Sequence, residues 1–438
     1  MSRRCLSVTK DRFSYLPTII SDLEESASTT IDIPLIMESL RAEIATATGE
    51  QGREKQNIGV AVLMAGNKSG AFLEETHGFK HLAQDSVPVD FNSTFWVASC
   101  TKLMTTVATL QIVERGLVDL DEDITRVLHE WKDATVLTGF DDNGKPITKP
   151  TKNKMTLRQL LTHSSGISYD FMSPVIQKYR EAVGLPALAP AGQTLAETSV
   201  VPLLYEPGEG WAYSYSIDWA GVVVERLGGY GRLEDYMSKN IWEPLGMTAT
   251  SFRPKDREDI RSNLVEMLTR DETGQLKVEP NLSTKPRTYE YDAGGSGLYT
   301  KPSDYTKLLA SLLRNNGLVL RKETVDMMFT PQLPDPKYLR AALKDIPYPF
   351  VYTMLHAHPQ DLQWNCGFGG ILNMEDIPGK RKKGTLCWTG LPNLLWWIDP
   401  TSNIYGMYAT QIVPFGDVPT TDVFSHFEEA IYKEFAQK

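Results

Sequence analysis

Phe95-Trp96-Val97-Ala98-Ser99-Cys100-Thr101-Lys102-Leu103-Met104-Thr105-Thr106-Val107-Ala108-Thr109-Leu110-Gln111-Ile112-Val113-Glu114-Arg115-Gly116 is the stretch from which the rest of the chain is best read. A short apolar run enters the Ser-x-x-Lys tetrapeptide Ser99 to Lys102. The residues behind it have the makeup of a helix, which Gly116 would end in a left-handed conformation. Positions i and i+3 share a helix face, so the Ser99 hydroxyl and the Lys102 amine would project into one space. Little charge falls between Lys102 and Glu114, which predicts a core helix. An ammonium shut away from water is driven toward its neutral form. A serine beside a neutral amine is an activated nucleophile, one of the Ser-Lys variants of the hydrolytic triad. The plainer reading is an N-cap serine, with Lys102 snorkelling out of the first turn. A second Ser-x-x-Lys, Ser7 to Lys10, has no apolar helix behind it and reads as chance.

With 438 residues the chain can bury a large core and hold two lobes or one large enzyme domain. A net charge of −10 with scattered acidic residues, and no basic stripe, argues against nucleic acid as a partner. No run approaches the roughly 18 to 20 apolar residues of a membrane helix, and the N-terminus lacks the apolar core of a secretory signal. Three Asn-x-Ser/Thr matches, at Asn67, Asn92 and Asn281, are therefore expected to go unused. The four cysteines, Cys5, Cys100, Cys366 and Cys387, read as reduced thiols of a cytoplasmic protein.

Along the chain, residues 1–33 read as a polar, irregular extension. Leu35 to Ala47 has helical spacing, and Ile58 to Met64 reads as a buried strand. Helical patterns fill the middle: Thr156 to His163, Trp219 to Leu227 and Leu233 to Leu245. Strands return at Gly384 to Trp388, Asn393 to Ile398 and Ile404 to Ala409, separated by turn residues, and Asp422 to Phe435 closes the chain as an amphipathic helix. The expected class is α/β (α+β): an antiparallel sheet flanked by helices, plus an inserted all-helical lobe. Residues 34–119 and 286–438 would form the α/β lobe and 120–285 the helical one. The proline-rich stretch 331–365 reads as a long loop or lid.

Two further segments carry chemistry. Glu206 to Gly221 is a turn followed by an aromatic stretch, Trp211-Ala212-Tyr213-Ser214-Tyr215-Ser216, entering a helix, and Trp388-Thr389-Gly390 ends a strand. Together with Ser99 to Lys102 they resemble the serine β-lactamase and penicillin-binding-protein superfamily, whose members share Ser-x-x-Lys, a Tyr-containing second motif and a Lys/His/Trp-x-Gly strand. Within it the chain is similar to the fungal lovastatin acyltransferases, transesterases of polyketide biosynthesis. That likeness runs from about residue 36 onward, through Ser99 to Ile124, Met155 to Tyr169 (MTLRQLLTHSSGISY), Trp211 to Gly229, Gly294 to Leu309 (GGSGLYTKPSDYTKLL), Cys366 to Ile371 and Lys383 to Pro400 (KGTLCWTGLPNLLWWIDP).

The resemblance implies Ser99 as nucleophile, Lys102 as its proton partner and Tyr213 as general base, with Tyr215 a rival for that role. It implies an oxyanion hole from the Ser99 and Leu391 N–H groups, a β-lactamase-like fold and no cofactor. Tyr215, Trp388, Thr389, Gly390 and Trp364 are the expected substrate-binding residues. Two departures bear on the substrate. Tyr215 stands where lactamases and peptidases of the superfamily typically have Asn, and Trp388 stands where they have a Lys or His that pairs with the substrate carboxylate. An apolar acyl group or polycyclic acceptor is favoured over β-lactams.

The expected activity is acyl transfer from a thioester or ester to a hydroxyl or amine of a natural-product scaffold. If the resemblance holds, the donor rides on the acyl carrier domain of a polyketide synthase. An esterase using the same residues is the alternative, and a non-catalytic binding protein the third reading. His129-Glu130-Trp131-Lys132-Asp133 lacks the second histidine of a zinc motif, so no metal is expected. His163 reads as a structural hydrogen-bonding residue and Cys100 as packing. Gly294 to Leu298 misses a nucleophile elbow at its last place, and Gly367 to Gly370 is too short for a nucleotide fingerprint.

Overall fold

In the computed structural model, which describes residues 33–280, 290–345 and 362–436, a seven-stranded antiparallel sheet joins the two ends of the chain. Its strands run in the order Trp364–Cys366, Ile371–Asn373, Leu386–Gly390, Leu394–Asp399, Ile404–Ala409, Val60–Asn67 and Gly70–Gly78. The early strand meets the late ones directly, with Met64 opposite Met407 and Ala65 opposite Gly406. Every residue of the three strands between Leu386 and Ala409 is buried. Such runs are mostly apolar because both faces of the sheet are covered.

Register assigns the tryptophans to faces. Trp388 pairs with Trp396, so both share one face. Trp397 points the other way and meets the edges of Phe424 and Phe427 on the C-terminal helix Val418–Phe435. That helix packs on Ile33–Ala47, the first described helix, while Pro302–Arg314 lies against the strands Val60–Asn67 and Ile404–Ala409.

The helix Thr101–Glu114 is buried at all twelve positions from Thr101 to Ile112, as befits a helix through the middle of a large protein. It is preceded by a 3-10 turn, Ala98–Cys100, so Ser99 stands two residues before the first residue of the helix and does not cap it. The middle of the chain forms the expected helices Leu157–Leu161 and Ser216–Gly228. The pattern Leu233 to Leu245 resolves into Leu233–Met237, a π-helical turn Ser238–Trp242 and Glu243–Leu245. Short strands accompany these helices: a hairpin of Thr135–Phe140 with Pro146–Pro150, and a small sheet in which Tyr299–Thr300 lies between Phe95–Trp96 and Thr250–Ser251. The stretch expected to be all-helical therefore also supplies strands.

Within 331–365, expected as a loop, Lys337–Asp345 is a helix. Of the expected lid, 346–361 falls outside the described residues, as do residues 1–32 and the boundary expected near 286.

Candidate active site

Ser99 occupies a turn built under strain. Ala98, immediately before it, has φ of +43°, a region that non-glycine residues rarely adopt. The turn is pressed against the end of the strand Leu386–Gly390. A Cβ on Gly390 would come within 2.5 Å of the Val97 carbonyl oxygen and 3.3 Å of the Cys100 Sγ, so only glycine admits this approach. The Cys100 side chain is consumed by that contact, and burial pushes its thiol well above the ordinary range.

Two groups converge on the Ser99 hydroxyl. The Tyr213 hydroxyl lies 2.7 Å from Ser99 Oγ, and the Lys102 ammonium, on a side chain only 2% exposed, donates to the same oxygen at 3.2 Å. Lys102 Nζ also donates to the Gly295 carbonyl at 2.7 Å and to the Tyr169 hydroxyl at 3.3 Å, and stands 4.6 Å from the Tyr213 ring centroid. The lysine does not snorkel: it points inward to polar partners on three other segments.

Tyr213 is held from both sides by His163. The Ala212 N–H donates to the His163 carbonyl at 3.0 Å, and the Ser214 hydroxyl shares a 3.1 Å bond with His163 Nδ1. His163 itself sits at φ +56°, and its ring packs edge-on against Tyr213, 4.9 Å between centroids. Burial and the nearby Lys102 charge hold its imidazole well below the usual range, hence neutral. This arrangement orients Tyr213 with a histidine that stays in its neutral form near neutral pH.

Tyr215 is directed elsewhere. Its hydroxyl donates to Asp170 Oδ1 at 3.2 Å, and its ring meets Tyr169 edge-on at 4.3 Å. Trp388 lies over Tyr213, 5.4 Å between centroids, and is stacked on His163. Thr389 and Gly390 are buried in the strand pressed against the Ser99 turn, while Leu391, 39% exposed, begins the hairpin that follows. Trp364 is not gathered into this cluster: it is a core residue on the edge strand of the large sheet. Its neighbour Cys366, with Lys102, His163, Trp211, Gly370 and Trp388, lines a narrow cavity of about 20 Å³ behind the lysine.

Tyr169, Gly295 and Asp218 went unnoticed in the sequence. Tyr169 and Gly295 lie inside stretches that carry the family likeness, yet no spacing rule ties either to Lys102. Among the described residues no cluster of three or more His, Cys, Asp or Glu side chains could hold a metal.

Comparison with known proteins identifies the family. The family model described as Beta-lactamase matches residues 45–425. The chain belongs to the β-lactamase family. Within that family it is similar to monacolin J acid methylbutanoyltransferase of Aspergillus terreus, 34% identical with 88% of this chain and 94% of the relative covered. It is also similar to the lovastatin esterase of Penicillium rubens, 36% identical over 86% and 95% of the two chains. The unliganded structure of simvastatin synthase from Aspergillus terreus superposes with a TM-score of 0.80 at 33% identity, covering 92% of this chain and 99% of that one. This β-lactamase-family member is thus an enzyme of the acyltransferase and esterase kind.

Proposed function

We propose that the chain is a serine acyltransferase that moves an acyl group from a thioester or ester donor to a hydroxyl or amine of a natural-product scaffold. The observation that carries it is the meeting of a phenol and an ammonium on one hydroxyl, at 2.7 and 3.2 Å. In the first half-reaction Ser99 Oγ attacks the acyl carbonyl carbon as its proton passes to the Tyr213 oxygen. Lys102, less than 5 Å from the centre of the ring, offsets the negative charge that the phenol oxygen carries between transfers. The Ser99 and Leu391 N–H groups are the proposed donors to the oxyanion. With a thioester donor, collapse breaks the carbon–sulfur bond, and the departing sulfur takes the proton back from Tyr213. In the second half-reaction the acceptor hydroxyl gives its proton to Tyr213, attacks the acyl-enzyme and releases Ser99, which recovers the proton.

The lining supports an apolar substrate. Tyr169, Tyr213, Tyr215 and Trp388 form an aromatic wall, and Phe171, stacked on Tyr169 at 4.8 Å and 58% exposed, continues it to the surface. A scaffold with fused rings can lie on such a wall without charge pairing. The donor is read as a thioester on an acyl carrier domain, and the cell compartment as the cytoplasm. No described helix is long and apolar enough to cross a membrane. The second reading is an esterase, favoured by the similarity to lovastatin esterase. Supplying a short acyl thioester together with polycyclic alcohols, and measuring ester against free acid, separates the two. The proposal expects ester to dominate at millimolar acceptor; free acid alone, whatever the acceptor, would establish the esterase.

A further inference from the structure

Asp218 is a carboxylate in the wrong place for stability. It lies in the first turn of the helix Ser216–Gly228, is 3% exposed, and takes no part in the chemistry outlined above. Its Oδ1 accepts from the Gly295 N–H at 3.0 Å, and the carbonyl of the same residue accepts from Lys102 Nζ at 2.7 Å. Gly295 is obligatory between them: a Cβ there would stand 2.3 Å from Asp218 Oδ2. The next carbonyl upstream, Gly294, is fixed to the same helix as Lys102 by the Thr105 hydroxyl at 2.7 Å.

We infer that Asp218 is a positioning residue: through the Gly295 peptide it aims the carbonyl that holds Lys102, and it supplies a buried counter-charge facing that amine beneath Tyr213. The inference rests on the proposed Ser99 chemistry and extends it to a residue that touches neither substrate nor the reacting atoms. Lys102 is the charged group that acts on Asp218, from the helix Thr101–Glu114. The loop contributes the Gly295 N–H, and the residue's own helix the Asp218 N–H. Of the helices packed on the same helix, Leu157–Leu161 carries Arg158, which pairs with Asp121, and Leu233–Met237 carries Asp235 and Glu234, the latter paired with Arg253. Burial raises the carboxyl from 3.8 to about 6, against the pull of Lys102. A carboxyl raised in the fold favours the folded state fully below its unfolded value. That contribution is lost as pH rises through about 6, so at pH 7.5 the charged form weakens the fold. A side chain kept for packing alone would not be charged there.

The test is Asp218→Asn, which keeps an acceptor for the Gly295 N–H and removes only the charge. Acylation of Ser99 by a p-nitrophenyl ester is followed from pH 5 to 9, alongside KM and the melting temperature. The expected result is kcat reduced by about 10- to 100-fold, the scale seen for residues that orient a reacting group. KM should stay within a few-fold and the melting temperature at pH 7.5 should be unchanged or higher. Wild type should show an acid limb near pH 6 that the variant lacks. Turnover at the wild-type level, or activity lost in step with a lowered melting temperature, would overturn the inference. Absence of any limb between pH 5 and 7.5 in wild type would do so too, without recourse to the variant. Wild type left unacylated at Ser99 would instead overturn the Ser99 chemistry, and this inference with it.

Discussion

Tyr213 and Tyr215 are two positions apart in one aromatic run, and their partners separate them. The Tyr213 hydroxyl is on Ser99, whereas that of Tyr215 is on Asp170, which in turn accepts from the Ala189 N–H at 2.7 Å. Tyr213→Phe is accordingly expected to cut turnover by about 10² to 10⁴ with circular dichroism unchanged. Tyr215→Phe should lose less than tenfold and act mainly on KM; the reverse order in steady-state kinetics would move the base to Tyr215. At this scale Ser99, Lys102 and Tyr213 were legible because each sits in a short pattern whose neighbours constrain it. Asp218 was not. A single carboxylate at the start of an apolar helix looks like an ordinary favourable charge at the positive end of the helix dipole. What distinguishes it is the Gly295 peptide, 77 residues away. Trp364 is among the expected substrate-binding residues, yet the edge strand that carries it buries the indole in the core.

Elements with long, one-sided or wholly apolar patterns announced themselves. The helix Thr101–Glu114, the strands from Leu386 to Ala409 and the closing helix were all visible, because burial of an entire element imposes an apolar run that needs no knowledge of its partner. The two-residue strands Phe95–Trp96 and Tyr299–Thr300 were not, since two residues carry no periodicity and their pairing spans some 200 positions. The contact that matters most between elements is the approach of Gly390 to the Ser99 turn. Gly390→Ala forces a methyl to within 2.5 Å of a backbone oxygen. We expect a stability loss of about 1 to 3 kcal/mol, as for other overpacked sites, with acylation reduced further than stability alone explains. Urea denaturation and single-turnover acylation together check both parts; a variant as stable and as fast as wild type would show that the turn adjusts freely.

For the molecule as a whole, the site depends on the two chain ends closing one sheet. The C-terminal helix is locked to the loop between the strands Ile371–Asn373 and Leu386–Gly390 by a buried ion pair: Arg381 Nε meets Glu428 Oε1 at 2.5 Å, both side chains being 1% exposed. Burial of the guanidinium is offset by the Glu428 charge, which raises the Arg381 pKa. Glu428→Gln leaves that cation without its counter-charge and should cost about 3 to 5 kcal/mol. The loss is to be read from denaturant unfolding, with kcat preserved in the molecules that stay folded. A kcat that falls while stability holds would contradict the division between a sheet that supports and a turn that reacts.

The account depends most on an acyl group resting on the Ser99 oxygen between donor and acceptor. Mass spectrometry of the protein quenched during turnover of a short acyl thioester tests this directly. We predict the acyl mass on the peptide containing Ser99, its disappearance when an alcohol acceptor is added, and no adduct in Ser99→Ala. An adduct retained in Ser99→Ala, or full turnover with Ser99 unmodified, would contradict it.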